Sequence, residues 1–309
     1  MEIAFRPKVS PLWFDAPGPR TVEVLLKASE MYQSISRYRI LERLGSGGEG
    51  QVWKAEDLKL KRTVAIKFLP HHLVPDEEAT VRLQAEARMA AALTHPNIAT
   101  VYELGEAGDQ PYIVMEYVEG ETLKSRIERH PIDLNESLEI GTKVGEALEA
   151  AHARGLLHCD IKSANIMIMP NGLIKVLDFG LARVPSVTVQ GASHDAFHTQ
   201  VGSAELGEEK CVRSTSVISG TLGSMSPEQV RGEALDCRTD IFSLGAVLYE
   251  MLTARSPFDG QGPIEILQSV LNDEPAPLGA FRDDIPLELE SVIRRALAKR
   301  REERYENVQ

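Results

Sequence analysis

From Tyr38 onward the chain switches between two hydrophobic periods. Tyr38 to Leu44 (YRILERL), Gln51 to Ala55 and Arg62 to Leu69 (RTVAIKFL) carry apolar residues at alternate positions or in short runs, which predicts strands. Ile98 to Leu104 and Gln110 to Tyr117 predict two more, joined by a turn over Gly105 to Asp109. Helical spacing appears in three places. Asp76 follows Pro75 and opens an acidic turn with Glu77 and Glu78, after which Val81, Ala85, Met89, Ala92 and Leu93 recur on one side until His95-Pro96-Asn97 stops the helix. Asn135 to Arg154 places Leu138, Val144, Ala147, Leu148 and Ala151 on one side, with Gly155 as its stop. Asp240 opens IFSLGAVLYEML, apolar nearly all round and so expected to be buried.

Between the last two helices lies the stretch around which the others make sense, His158 to Gly180 (HCDIKSANIMIMPNGLIKVLDFG). Ile166, Ile168, Ile174, Val176 and Leu177 are strand formers, and Pro170-Asn171-Gly172 supplies a turn. A hairpin here brings Asp160, Lys162 and Asn165 at one end to Asp178 at the other. Two carboxylates, an amide and an ammonium suit a hard cation and a phosphate, because oxygen ligands hold the metal while the ammonium offsets phosphoryl charge. Upstream, Gly45-Ser46-Gly47-Gly48-Glu49-Gly50-Gln51-Val52 sits between two predicted strands. Glycines there let backbone N–H groups approach phosphate oxygens, and the lack of a helix opening at the last glycine disfavours a dinucleotide-binding turn. Lys67 projects from an otherwise apolar strand, and Glu86 lies beside the apolar stripe of the first helix.

These segments, in this order, resemble the protein kinases, specifically the bacterial eukaryotic-like Ser/Thr kinases, from about Tyr38 to the C-terminus. The resemblance implies an α+β, bilobal fold: a small lobe over 38–117, an antiparallel sheet with one helix, and a large, mainly helical lobe over 118–309, with 1–37 as an N-terminal extension. It implies transfer of the ATP γ-phosphate to Ser/Thr hydroxyls of proteins, including the kinase itself, with ATP and Mg²⁺ as cofactors and Mn²⁺ as an alternative metal. On the matching positions, Asp160 would orient the substrate hydroxyl and take its proton, Lys162 would stabilise the transferring phosphoryl, and Lys67, paired with Glu86, would hold the α/β-phosphates. Asn165 and Asp178 would hold metal. The nucleotide would lie among Leu44, Gly45, Ser46, Gly47, Gly48, Gly50, Val52, Ala65, Met115 and Met167, its adenine bound by the backbone at Glu116 and Val118. Asp240 would bond the catalytic-loop backbone and Arg304 would pair with Glu228 of Ser226-Pro227-Glu228, a protein-kinase feature that disfavours a small-molecule phosphotransferase. Lysine two residues after Asp160 marks the Ser/Thr class.

Two departures stand in the catalytic loop, Cys159 where the family has Arg and Ser163 where it has Pro, and they motivate the alternative of a pseudokinase, a nucleotide-binding or scaffolding module. Without the arginine's buried charge, activity is expected to depend weakly on activation-loop phosphorylation. The 45 residues between Gly180 and Ser226 correspond to that loop, with candidate sites at Thr199, Ser214, Thr215, Ser216 and Ser219.

Composition narrows the remainder. With 34 basic against 46 acidic residues and a net charge of −12, general nucleic-acid binding is not expected. Arg294-Arg295 and Lys299-Arg300-Arg301 read as the solvated face of a helix. Cys159, Cys211 and Cys237 have no paired spacing, and neither a signal-peptide pattern nor a long apolar run is present, which points to the cytoplasm and to no membrane contact within this chain. The resemblance adds a homodimer for autophosphorylation among expected partners. The chain stops a few residues beyond Arg304, inside the expected last helix, so a longer protein is expected, tethered through a further C-terminal region.

Overall fold

A computed structural model describes residues 34–47, 50–69, 85, 87–108, 110–129, 132–179 and 222–309. Six strands form one antiparallel sheet: β1 (Ser34–Ile35), β2 (Tyr38–Gly47), β3 (Gly50–Asp57), β4 (Arg62–Phe68), β5 (Val101–Ala107) and β6 (Gln110–Glu116), in the order β1-β2-β3-β4-β6-β5. The alternation in RTVAIKF sorts its two faces. Val64, Ile66 and Phe68 pack with Ile35, Tyr38, Ala55, Tyr112 and Val114 in an outer cluster. Ala65 and Leu69 face the main core, which runs on through Ile113 and Met115 into the helical half as far as Val247 and Met251. Lys67 lies between Ala65 and Leu69 on that inner side, and only 4% of it is exposed.

The sheet departs from the sequence expectation in two places. β1 adds a strand before Tyr38, pairing Ile35 with Tyr38 through a tight turn in which Ser36 has φ +52°. β5 starts and ends three residues later than predicted. Gly105 therefore lies within the strand, because the Tyr112 ring occupies the place of a side chain: a Cβ on Gly105 would sit 2.3 Å from it. Residues 97–100 instead line up beside the strand leading to Asp178, with Val176 N–H donating to Asn97 O (2.8 Å) and Ala99 N–H to Val176 O (2.9 Å).

The second sheet is β7 (Glu121–Thr122), β8 (Ile166–Ile168) and β9 (Ile174–Val176). The β8–β9 hairpin turns as expected: Gly172 takes φ +80°, its N–H donates to Met169 O, and Asn171 caps the turn by accepting from Leu173 N–H. Residues 87–91 are helical, and six α-helices come after them among the described residues: α1 (Leu123–Arg129), α2 (Leu134–His152), α3 (Pro227–Val230), α4 (Arg238–Thr253), α5 (Pro263–Asn272) and α6 (Leu287–Ala296). Asp133 caps α2 by accepting from Glu136 N–H, and Gly155, at φ +71°, follows its end. The buried face of α2 is Ile140, Gly141, Val144, Ala147, Leu148 and Ala151; Leu138, expected there, is exposed, since it stands just off that stripe. α4 is buried on nearly every side, as its composition requires. Phe242 stacks on Phe258 with centroids 5.6 Å apart, each burial contributing about 1.5–3 kcal/mol.

The basic residues near the end do not form one solvated face. Arg294 does, pairing with Glu290 at 2.9 Å. Lys299, however, folds over the Phe258 ring and donates to Val270 O (2.7 Å) and Ser269 O at the end of α5, and burial lowers its pKa to about 8. A short apolar gap at the helix end draws the long side chain inward.

Candidate active site

The hairpin brings together the polar groups at its two ends. Leu177 N–H donates to Asn165 O (2.8 Å), so the backbone entering Asp178 is fastened to the loop carrying Asp160. Lys67 reaches across from β4 and its Nζ lies 2.9 Å from Asp178 Oδ2, both groups largely buried. Asp178 has φ +61°, a conformation costing a non-glycine residue about 1–2 kcal/mol, which this ion pair helps to hold. Asp160 Oδ2 accepts from Lys162 Nζ (2.7 Å) and from Asn165 Nδ2 (2.7 Å), and the same amide also donates to Asp160 O. Asn165 thus spends its N–H donors on the loop. Carboxylates at Asp160 and Asp178, ammoniums at Lys67 and Lys162 and the amide of Asn165 make up a site that alternates charge over a short span.

The loop is anchored from below. Asp240, at the start of α4 and fully buried, accepts from His158 N–H (2.9 Å), Cys159 N–H (2.8 Å) and His152 Nε2 (2.8 Å). Cys159 has φ +63°, and its carbonyl accepts from Gln229 Nε2 (2.7 Å). With both ends of the residue bonded, the left-handed backbone is fixed whatever the side chain. Ser163 hydrogen-bonds the Glu250 carboxyl, whose pKa is raised by burial despite that bond.

His158 joins loop and hairpin. Its Nδ1 accepts from Asp160 N–H (3.2 Å), so Nε2 carries the hydrogen donated to Leu177 O (2.8 Å), and the ring packs edge-on against Phe179. Burial holds its pKa below the ordinary 6.5, ahead of the opposing pull of Asp240. Because the folded value lies below the unfolded one, stability is complete above pH 6.5 and falls as pH drops through that window. We expect a loss of up to about 1.4 kcal/mol per pH unit below pH 6.5, before carboxylates titrate, measured by urea unfolding. A His158→Phe variant should flatten that slope.

The glycine-rich residues close a hairpin above this cluster: Gly45 pairs with Val52, Ser46 with Gln51 and Gly47 with Gly50, the last at φ +121°. Val52 is in register with Lys67 and Ala65 with Met115, so these side chains share the inner face. Leu44 is exposed and Val118 is buried at the other end of the same region. Met167 stands opposite Lys175 and Thr122 in the second sheet. Glu86, Gly48 and Gly180 lie outside the described residues, as do Thr199, Ser214, Thr215, Ser216, Ser219 and Cys211. Arg304 and Glu228 meet as expected, bidentate at 2.7 and 2.9 Å and both buried. Gln229, His152, Glu250 and Lys175 also belong to the assembly and were not expected from sequence. For Lys175 the signal was available, a lysine inside an apolar strand, as for Lys67.

The chain spans only about two fifths of the curated relatives it matches. A probable serine/threonine-protein kinase of Clostridium acetobutylicum is 38% identical over 273 residues, 88% of this chain and 38% of that protein. The serine/threonine-protein kinase PknB of Mycolicibacterium smegmatis is 40% identical over 275 residues, 87% of this chain and 41% of that protein. Among solved structures, the PknI kinase domain of Mycobacterium tuberculosis matches with a TM-score of 0.66 and 27% identity, covering 89% of this chain and 93% of that one. The family model for the protein kinase domain matches residues 38–309. The chain belongs to the protein kinase family and is similar to its bacterial serine/threonine kinases.

Proposed function

We propose that this chain is the catalytic part of a bacterial serine/threonine protein kinase that transfers the γ-phosphate of ATP to protein hydroxyls, its own included. One observation carries the reading: Lys67 with Asp178, and Asp160 with Lys162 and Asn165, are held a single loop connection apart on rigid elements. The donor set fits a hard divalent cation, since Asp178 supplies a carboxylate and Asn165 an amide oxygen, and Mg²⁺ is the ion such donors favour. Bound Mg-ATP supplies the transferable phosphoryl group and offsets its charge. Asp160 then orients the substrate hydroxyl and accepts its proton, while Lys162 steadies charge beside it. Lys67 binds phosphate oxygens, with Glu86 as its helical partner. Gly45, Ser46, Gly47, Gly48 and Gly50 offer backbone N–H groups to the phosphates, and adenine packs among Leu44, Val52, Ala65, Met115 and Met167, bonded by the backbone of Glu116 and Val118. The lobes on either side are 38–117 and 118–309. Among the described residues no helix is long and apolar enough to cross a membrane, and we place this part of the protein in the cytoplasm, where ATP is available.

Labelled phosphate from Mg-ATP should pass to a generic protein substrate, and acid hydrolysis should return phosphoserine and phosphothreonine without phosphotyrosine. Nucleotide binding without any transfer would replace this reading by the pseudokinase one. Cys159 brings no positive charge to be neutralised, and its backbone is already bonded at both ends. Phosphatase treatment should therefore lower the transfer rate less than about threefold, and loss of activity restored by rephosphorylation would overturn that expectation.

A further inference from the structure

Lys175 is a buried cation with no part in the chemistry above. It sits at the centre of β9, three residues before Asp178, with only 8% of its surface exposed. Its Nζ lies 2.9 Å from Glu116 Oε2 and 3.3 Å from Ile98 O. Glu116 is the last residue of β6 and is itself tied to the segment beside β9: its N–H donates to Thr100 O (2.8 Å), and its Oε2 accepts from Thr100 N–H (3.1 Å) as well as from Lys175. The 97–100 segment is in turn bonded to Val176 through Asn97 O and Ala99 N–H, and Asn97 Nδ2 donates to Ile174 O (2.8 Å). Three strands of chain are thus locked around one charge-assisted contact.

We propose that Lys175 is a positioning residue for nucleotide binding, acting through the Glu116 carboxylate to hold the adenine-binding backbone at a fixed place relative to the strand that delivers Asp178. The inference rests on the proposed adenine contact at Glu116. A nucleotide that is bonded at its base by 116–118 and at its phosphates by Lys67 and by the cation that Asp178 would hold spans the two ends of this lock. If the lock is released, the two ends are no longer set at the nucleotide's length, and part of the binding free energy goes into ordering them.

The test compares affinities for ADP and adenosine by calorimetry, and kcat and KM for ATP, in the wild type, Lys175→Met, Lys175→Arg and Glu116→Gln. Lys175→Met should weaken ADP by about 5- to 20-fold and raise KM for ATP accordingly, with kcat within about twofold, while adenosine, which has no phosphates and occupies only the adenine end, should change less than about threefold. Lys175→Arg, which keeps a cation for the carboxylate, should restore ADP affinity to within about threefold. Glu116→Gln keeps the acceptor for Thr100 and should weaken ADP in the same direction, adding nothing once Lys175 is Met. ADP affinity unchanged in Lys175→Met, adenosine weakened as much as ADP, or kcat falling in step with affinity and not restored by Arg, would overturn the proposal while leaving the kinase reading intact. Should Lys175→Met not fold, Lys175→Arg and Glu116→Gln decide between the same outcomes. A wild type that binds neither ligand would remove the adenine contact on which the proposal stands, and the proposal with it.

Discussion

Asp160→Asn should lower the rate of phosphoryl transfer by about 10²- to 10⁴-fold while changing ADP affinity less than about threefold. The separation follows from what surrounds the side chain. Lys162 Nζ and Asn165 Nδ2 both donate to Asp160, and the amide oxygen of asparagine can receive them in place of the carboxylate, so the loop keeps its shape. What asparagine cannot do is take a proton. The substrate hydroxyl must lose one as its oxygen bonds to phosphorus, and with Asp160 replaced that proton leaves only through solvent. The loss of one negative charge also leaves Lys162 without its counter-ion, which weakens its alignment and accounts for the upper part of the range. In the proposed reading nucleotide binding rests on other groups, Lys67 and the strands around Met115 and Glu116, and not on the Asp160 carboxylate or its two donors. Single-turnover rates with saturating Mg-ATP, beside calorimetric ADP affinities, separate the two effects. A rate within threefold of the wild type would remove Asp160 from the role of base.

Much of this site could be read from sequence because its residues break a local pattern. Lys67 interrupts an apolar strand, and the alternation in RTVAIKF alone places it on the inner face. Pro170-Asn171-Gly172 fixes the hairpin, and the hairpin brings Asp178 to the loop of Asp160. What stayed hidden has physical causes of its own. β1 is two residues long, too short to show a period. The late start of β5 depends on residues 97–100 pairing beside β9, and its continuation through Gly105 on the Tyr112 ring filling the space there, contacts that neither strand carries alone. Leu138 is apolar yet exposed because helical phase, set by the whole of α2, puts it a step off the buried stripe. Lys299 looked solvated because charge runs usually are, and only the placement of Phe258 and the end of α5 draws it in. Gln229 holds the catalytic loop from a remote helix and His152 bonds the Asp240 that anchors it, and neither side chain carries a local signature of that task. The same holds for Lys175, whose partner lies 59 residues away.

The largest effect on stability should come from Arg304→Met, about 3–5 kcal/mol by urea unfolding. Arg304 is among the largest fully buried side chains, and its guanidinium makes two bonds to Glu228 while donating also to Ala298 O (2.8 Å) and Arg238 O (3.0 Å), with the Phe242 ring 4.8 Å away. Methionine fills much of the volume, but it strands the Glu228 carboxylate in a site where Thr239 Oγ1 is left to compensate it. Arg304→Lys should recover little, since one ammonium cannot reproduce a planar fork that serves a carboxylate and three carbonyls together, that of Lys299 included. Arg304→Met with Glu228→Gln should recover part of the loss, because the second change removes the uncompensated charge. Acid should act in the same direction as the single variant. Burial pushes the Glu228 carboxyl up, but the Arg304 guanidinium outweighs it, so the folded value lies below the ordinary 4.5. The pair's contribution is therefore complete above pH 4.5 and is lost as pH falls through the lower folded value. The consequence extends to catalysis, because Glu228 precedes Gln229 on α3, and Gln229 holds the carbonyl of Cys159 one residue before Asp160. Arg304→Met should thus slow transfer even at temperatures where it remains folded. A variant of wild-type rate but lowered stability would show that α3 holds its place without the ion pair.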